Sequence, residues 1–145
     1  MTSHINIPGK LVSKQRPKFS RKNGIMRTYT PEKTVNYENW VKMCWMNSGQ
    51  EKMQGNIIAV IVARFSIPKA VSKKKRKEMH ENYCAKKPDC DNIAKSILDA
   101  LNGIAYDDDS QIVSLDVTKL YSDTEEGVDL YMTEVTDYGK NLPEL

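Results

Sequence analysis

The sequence predicts a single domain of the α/β (α+β) class, in which a small mixed β-sheet packs with helices. Runs of β-branched residues, or of alternating apolar and polar residues, predict strands at 56–68, 111–121 and 128–135. Apolar residues at helical spacing predict two core-facing helices. Because 145 residues can bury one hydrophobic core and no linker divides them, we expect one domain over residues 1–145.

The first half of the chain is predicted to contain an edge strand, a basic loop and a helix. Pro8 interrupts the apolar residues 5–12, and proline is tolerated in sheets mainly at edges and strand ends. Residues 14–28 are basic and lack an apolar period, so they are expected to form a loop. Thr30 followed by Pro31 is typical of an N-cap and a first helical residue, and the apolar stripe behind them predicts a helix.

The second half is predicted to contain a central strand, two helices and a hairpin. Residues 56–68 are too uniformly β-branched for a half-exposed strand, so we expect a central strand with both faces covered. Ser72 is expected to cap a short basic helix, and the apolar spacing over 92–102 predicts an amphipathic helix that Gly103 ends. The last two strands are joined by a loop suited to a hairpin, and residues 137–145 are expected to fray.

Composition excludes several classes of protein. Three cysteines without CxxC spacing and only two histidines cannot build a disulfide framework or an ordinary zinc site. No apolar run approaches the roughly 18–20 residues that span a bilayer, and the N-terminal residues lack the apolar region of a signal peptide. We therefore expect a cytoplasmic protein with no membrane partner.

Charge is divided unevenly along the chain. Residues 1–88 contain 19 Lys and Arg against 5 Asp and Glu, a net charge of +14. Residues 89–145 contain 3 against 14, a net charge of −11. A basic surface attracts polyanions and a carboxylate cluster needs a cation, although charge blocks are also common as solvated faces.

Carboxylates are grouped around the helix predicted at 92–102. Asp89 and Asp91 are two residues apart in a segment expected to be extended, so their side chains face one way, and Asp91 is placed to cap the helix. Lys95 follows one turn later, and folding the helix onto the sheet can bring acids of the run 107–109 to the same point. Oxygen ligands without His or Cys suit Mg²⁺ or Mn²⁺.

Each of these features also has an ordinary structural interpretation. Two acids separated by one residue are often only a cap or a turn. The run 107–109 can be a solvated turn before a strand. Lys95 and Asp99 can form a helix-surface ion pair across one turn.

Longer segments carry a resemblance to a known family. PDCDNIAKSILDALNG, followed closely by AYDDDSQI, resembles the signature of the RusA family of Holliday junction resolvases. RPKFSRKNGIMRTYTPEKTVNYENW resembles the basic N-terminal segment of its phage and prophage members. The resemblance implies a small α/β homodimer that needs Mg²⁺ or a similar ion and nicks four-way and related branched DNA in a bacterial or phage-infected cell.

The same resemblance implies roles for individual residues. The family's essential acids fall on Asp89, Asp91 and Asp109, and its active-site lysine falls on Lys95. Cys90 stands where the family more often has an aliphatic residue, and the acidic run has three members where two are usual. The member of the run that binds metal therefore depends on its register.

The register of the acidic run favours Asp109. Aligned on Gln111, the resemblance implies that Asp109 is a metal ligand and that Asp108 is the fallback ligand. Side-chain alternation agrees, because odd positions such as Val113 are expected to face the core in an extended segment. Asp107 has the same parity, but we expect the preceding loop to carry it away from the metal.

We expect basic residues of the first half to contact DNA phosphates, which position a protein without reading bases. They are Lys14, Arg16, Lys18, Arg21, Lys22, Arg27, Lys73, Lys74, Lys75, Arg76, Lys77, Lys86 and Lys87. One active site per subunit of a two-fold dimer matches the approximate symmetry of a four-way junction. Two other functions stay open: a non-catalytic branched-DNA-binding protein and a metal-dependent phosphohydrolase that acts on a smaller substrate.

Overall fold

The structure is a computed structural model that describes residues 1–14 and 16–137. The described residues form, in chain order, β1 (Thr2–Pro8), β2 (Lys18–Lys22), β3 (Ile25–Tyr29), α1 (Glu32–Asn47), β4 (Asn56–Ser66), α2 (Lys73–Met79), α3 (Cys90–Ala100), a 3-10 turn (Asp109–Gln111), β5 (Ile112–Ser122) and β6 (Gly127–Val135). This arrangement confirms the predicted α+β class with a small mixed sheet.

The main sheet has four strands in the order β1–β6–β4–β5. β4 pairs in parallel with β5 and antiparallel with β6, and β6 pairs antiparallel with β1. The predicted hairpin between the last two strands is therefore wrong, because β4 lies between them. Parallel neighbours need a long crossover connection, and the one between β4 and β5 contains α2 and α3.

β4 is an interior strand, as predicted, but only one of its faces is fully covered. Ile57, Ala59 and Ile61 are buried in a core that also contains the apolar residues of α1 and α3. Ile58, on the opposite face, is 37% exposed. The prediction that both faces are covered is wrong because both core-facing helices pack on the same side of the sheet.

The predictions of an edge strand and of a helix cap in the first half of the chain differ in outcome. β1 lies at one edge of the sheet, as predicted. The predicted Thr30 cap is wrong, because α1 begins at Glu32 and its N-cap residue is Pro31, which offers no side-chain hydrogen bond. The apolar stripe of α1 is nevertheless buried as the spacing predicts, with Val41 fully enclosed.

β2 and β3 form a separate two-stranded sheet, so the prediction of a loop over residues 14–28 is wrong for most of that segment. The strands are joined by Asn23 and Gly24, whose φ angles of 54° and 75° lie in the left-handed region that tight hairpin turns require. All residues of both strands are exposed, which is why the segment has no apolar period.

The remaining predictions concern the cap of α2, membrane-spanning helices and the C-terminal tail. The Ser72 hydroxyl accepts the Lys75 amide at 3.4 Å and caps α2, as predicted. Within residues 1–14 and 16–137, no helix is both long and apolar enough to span a membrane. Beyond Asp137, the tail expected to fray lies outside the described residues. The extent of the single domain over 1–145 stays a prediction.

Candidate active site

The start of α3 carries two exposed carboxylates. Asp89 is the N-cap residue, with extended backbone and a side chain that accepts no capping hydrogen bond, and Asp91 lies in the first helical turn. The expectation that both residues lie in an extended segment with Asp91 as the cap is therefore wrong. Because the apolar stripe of α3 is buried and includes Ile93 and Ile97, the opposite face turns Asp91 and Lys95, one helical turn apart, toward solvent.

The segment that leads into α3 is fastened to β5. Lys119 Nζ donates to the carbonyl oxygen of Lys86 at 2.7 Å and to that of Pro88 at 3.2 Å. Cys90 Sγ lies 3.7 Å from the carbonyl oxygen of Val117, in the middle of the same strand. These contacts fix the position of the backbone at Asp89, where the loop ends and α3 begins. The sequence did not predict this role of Lys119, because the loop that it contacts is distant along the chain and no local pattern links the two.

The acidic run precedes β5: Asp109 begins the 3-10 turn, Asp108 is the N-cap residue of that turn, and Asp107 lies before it. The Asp108 carboxylate accepts hydrogen bonds from the amide and hydroxyl of Ser110, which lower the pKa of Asp108 below its usual value. Gln111 Oε1 accepts the Asp107 and Asp108 amides at 2.8 and 3.0 Å. Asp107 forms a 2.5 Å ion pair with Lys52. Asp107 and Asp108 thus have structural partners.

Asp109 is the member of the run whose carboxylate has no hydrogen-bond or ion-pair partner among the described residues. Its amide donates to Asn102 Oδ1 at 3.2 Å, just beyond the C-terminal end of α3. The prediction from strand alternation assumed that Asp109 lies in an extended segment continuous with the strand. That assumption is wrong, because Asp109 precedes β5. The same residue is still left free, because the turn engages its two neighbours.

The free acids lie near opposite ends of α3. Asp89 and Asp91 stand at its first turn, whereas the Asp109 backbone is tied to Asn102 beyond its last turn. Eleven helical residues rise about 16 Å, but oxygen ligands of one Mg²⁺ all lie about 2 Å from the ion. Accordingly, no group of three or more possible ligands is found among the described residues. The donor chemistry fits Mg²⁺, but one copy of the described chain does not gather all the predicted ligands.

Lys95 lies between these two groups and is exposed, with no partner among the described residues. The alternative in which Lys95 pairs with Asp99 is wrong, because Asp99 accepts from Lys14 Nζ at 2.7 Å. Glu38 of α1 lies 3.8 Å from the same ammonium. The hydrogen bond to Asp99 raises the pKa of Lys14, so this lysine stays charged and links α1 to α3.

Two of the predicted DNA-contacting residues are thus engaged inside the protein. Lys14 is one, and Arg76 is the other. The Arg76 guanidinium donates to Asp123 at 3.2 Å and to the carbonyl oxygens of Pro68 and Val71 at 2.7 and 3.1 Å. It holds α2 against the neighbouring loops.

The other predicted basic residues are exposed and form no ion pair among the described residues: Arg16, Lys18, Arg21, Lys22, Arg27, Lys73, Lys74, Lys75, Lys77, Lys86 and Lys87. A groove of about 290 Å³ beside Pro88 brings Lys10 together with Lys86 and Lys87. Sequence reasoning missed Lys10, because nothing local indicates that the end of β1 approaches the segment before Asp89. The groove is lined by the segment that precedes α3.

Comparison with known sequences agrees with this combination of free acids and basic surface. The sequence model described as Endodeoxyribonuclease RusA matches residues 8–132. This chain belongs to the RusA endodeoxyribonuclease family. The resemblance inferred from the motifs is thereby confirmed. The chain is also 35% identical over 137 residues to the uncharacterized protein YqaN of Bacillus subtilis (strain 168), covering 91% of this chain and 96% of that protein.

Membership of the RusA family implies endodeoxyribonuclease activity. The matched residues include the free acids, Lys95, the β2–β3 sheet and α2. The roles of Asp89, Asp91, Lys95, Asp108 and Asp109 stay predictions, as do the phosphate contacts of the basic residues.

Proposed function

We propose that this RusA-family protein is a Mg²⁺-dependent endonuclease that resolves Holliday junctions and related branched DNA by symmetric phosphodiester hydrolysis. It acts as a homodimer in the cytoplasm of a bacterial or phage-infected cell, in DNA recombination and repair, and Mn²⁺ can replace Mg²⁺. One observation carries the proposal: the exposed carboxylates of Asp89 and Asp91, unpartnered among the described residues, directly follow residues 86–88, which line a groove with Lys10.

Asp89 and Asp91 are suited to hold the ion, because Mg²⁺ in such sites is commonly bound by one or two carboxylates together with substrate phosphate and water. The bound ion would supply hydroxide from water and offset charge on the leaving oxygen. Lys95, one turn along the same helix face, can place its ammonium against the scissile phosphate and stabilise the charge that develops there.

Asp109 enters the site from the second copy of the chain in this proposal. Within one copy it lies about a helix length from Asp91, too far for both to bind one ion. A two-fold dimer exchanges such residues reciprocally, and a four-way junction has an approximate two-fold axis. Two symmetric sites would then cut two strands.

Cleavage assays on a synthetic four-way junction, a flap and a linear duplex test the activity. The wild-type protein should cut the junction with Mg²⁺ and not with EDTA. Asp91→Asn and Asp89→Asn should lose cleavage and keep junction binding, since they remove a metal ligand and leave the basic surface intact. Near wild-type cleavage by either variant would remove that residue from the site.

Mixing two inactive variants tests the shared site. After subunit exchange, a dimer of Asp91→Asn and Asp109→Asn has one complete site if Asp109 acts in the other subunit. Cleavage in the mixture, at up to a quarter of the wild-type site concentration, supports the shared site. No recovery in verified mixed dimers would place Asp91 and Asp109 in the same subunit.

The two alternative functions predict other outcomes in the same assay. A non-catalytic binding protein would bind the junction without cutting it under any metal condition. A phosphohydrolase for smaller substrates would hydrolyse a small phosphodiester and leave DNA intact. The groove that Lys10, Lys86 and Lys87 line favours the nuclease, because a small ester needs no extended cationic surface.

A further inference from the structure

The hairpin formed by β2 and β3 exposes large apolar side chains. Phe19 is 69% exposed and Met26 is 62% exposed. Phe19 is paired with Thr28, and Met26 with Arg21, so the four residues share one face of the hairpin and Phe19 and Met26 are diagonal neighbours. Burial in the domain core therefore does not explain these side chains.

The charges of the hairpin indicate the chemistry of its partner. Between residues 18 and 29 there are four basic residues and no acidic one. They are Lys18, Arg21, Lys22 and Arg27, all exposed and without an ion-pair partner among the described residues. A surface that is both cationic and apolar is complementary to a nucleic acid that offers phosphates and unstacked bases together.

We propose that the β2–β3 hairpin binds the branch point of the DNA, where Phe19 stacks on or between bases and Arg21, on the same face, holds a flanking phosphate. The inference rests on the proposed function for its substrate. It adds a second contact, separate from the carboxylates, that distinguishes branched from linear DNA.

A branch point fits the hairpin better than the groove of a plain duplex. In a duplex the bases are stacked and paired, so a phenyl ring must first separate a base step, at a cost of a few kcal/mol. At a branch the stack is already interrupted, so the ring can contact a base face at a lower cost. A two-stranded sheet standing by itself is also only marginally stable in water, and contact with DNA would order it.

Binding of the full-length protein to two DNA probes in EDTA tests the inference, since no cleavage is needed. One probe is a four-way junction with 2-aminopurine at the branch point, and the other is a linear duplex of the same arm sequence. Phe19→Ala should weaken junction binding about tenfold and change duplex binding less than about twofold. It should also abolish most of the 2-aminopurine fluorescence change seen at saturating wild-type protein.

Matched variants separate stacking from general effects. Phe19→Trp should keep junction affinity near the wild-type value, because indole also stacks on bases. Met46→Ala removes an equally exposed apolar side chain, 64% exposed, from α1 and should leave both affinities unchanged. Circular dichroism and thermal unfolding of each variant confirm that the domain is folded.

Several results would overturn the inference. An equal loss of junction and duplex binding by Phe19→Ala would indicate contact with the groove of a duplex. The inference also fails if Phe19→Ala changes neither affinity, or if the wild-type protein does not bind the junction. A change of oligomeric state on Phe19→Ala, seen by light scattering without DNA, would instead assign the hairpin to contact between copies. A Phe19-dependent preference for junctions in a protein that fails to cut DNA with Mg²⁺ would refute only the proposed nuclease function.

Discussion

The ammonium of Lys119 lies 2.7 Å from the carbonyl oxygen of Lys86, so a charged side chain of β5 holds the loop that precedes the candidate metal ligands. A second hydrogen bond from the same ammonium reaches the carbonyl oxygen of Pro88 at 3.2 Å. Hydrogen bonds of charged donors are stronger than neutral ones, so the two together restrict the position of Asp89.

Lys119→Met is expected to raise the Mg²⁺ concentration for half-maximal junction cleavage about tenfold, the usual size of effect when a group that orients ligands is removed. Lys119→Arg can still donate to the loop carbonyls and should recover most of the loss. Cleavage rates measured across a Mg²⁺ titration check this. Lys33→Met, an exposed lysine of α1, serves as the control. An unchanged Mg²⁺ dependence of Lys119→Met would show that loop position does not control the site.

The acidic run offers three matched substitutions. Asp109→Asn should abolish cleavage, because its carboxylate is free to act. Asp108→Asn should retain part of the activity, because it weakens the hydrogen bonds to Ser110 that shape the turn. Asp107→Asn breaks an exposed ion pair with Lys52 and should be near neutral. Rates of the three variants at saturating Mg²⁺ decide the register, and an active Asp109→Asn beside an inactive Asp107→Asn would move the site by two residues.

Two neighbouring residues of α2 are expected to behave differently. Lys74→Ala should weaken binding to every DNA substrate and reduce the slope of log affinity against log salt by about one, since its ammonium is free to contact phosphate. Arg76→Ala should instead lower the free energy of unfolding by about 1–2 kcal/mol, because it removes hydrogen bonds to Asp123 and to loop carbonyls. Salt titrations and urea unfolding measure the two effects. An unchanged salt slope for Lys74→Ala would return that lysine to a solvated role.

Asp129 on β6 should make stability fall in acid. Burial raises its pKa, but hydrogen bonds from His4, Asn6 and Arg64 outweigh burial and leave the pKa of Asp129 below its usual value. A carboxyl with a lowered folded-state pKa stabilises the protein above its unfolded pKa of about 4, and that contribution is lost as pH falls through the folded value. The difference in unfolding free energy between wild type and Asp129→Asn should therefore be largest above about pH 4 and shrink below it. A difference that does not vary between pH 6 and pH 2.5 contradicts the prediction.

Local patterns along the chain were sufficient to predict the regular elements that have a buried face, but not the fully exposed strands β2 and β3. The spacing of Ile93, Ile97 and Leu101 is that of one buried helix face, and α3 lies there. The β-branched run that begins at Asn56 became the interior strand β4. Asp89 and Asp91 lie close together because they are neighbours along the chain, and both are exposed at the start of α3, but their role as metal ligands stays a prediction.

Only the tertiary structure decided how these elements meet. β4 lies between β5 and β6, although the short connection between those two strands favours a hairpin, because strand partners depend on packing across the whole sheet. The same holds for charge. Lys14 forms an ion pair with Asp99, 85 residues away in the sequence. Asp109 is held by Asn102 just beyond the C-terminal end of α3, whereas Asp89 and Asp91 lie at the start of that helix. Period and spacing act over about ten residues, whereas a partner for a strand edge or a charge is chosen by contacts between distant segments, and those no local pattern encodes.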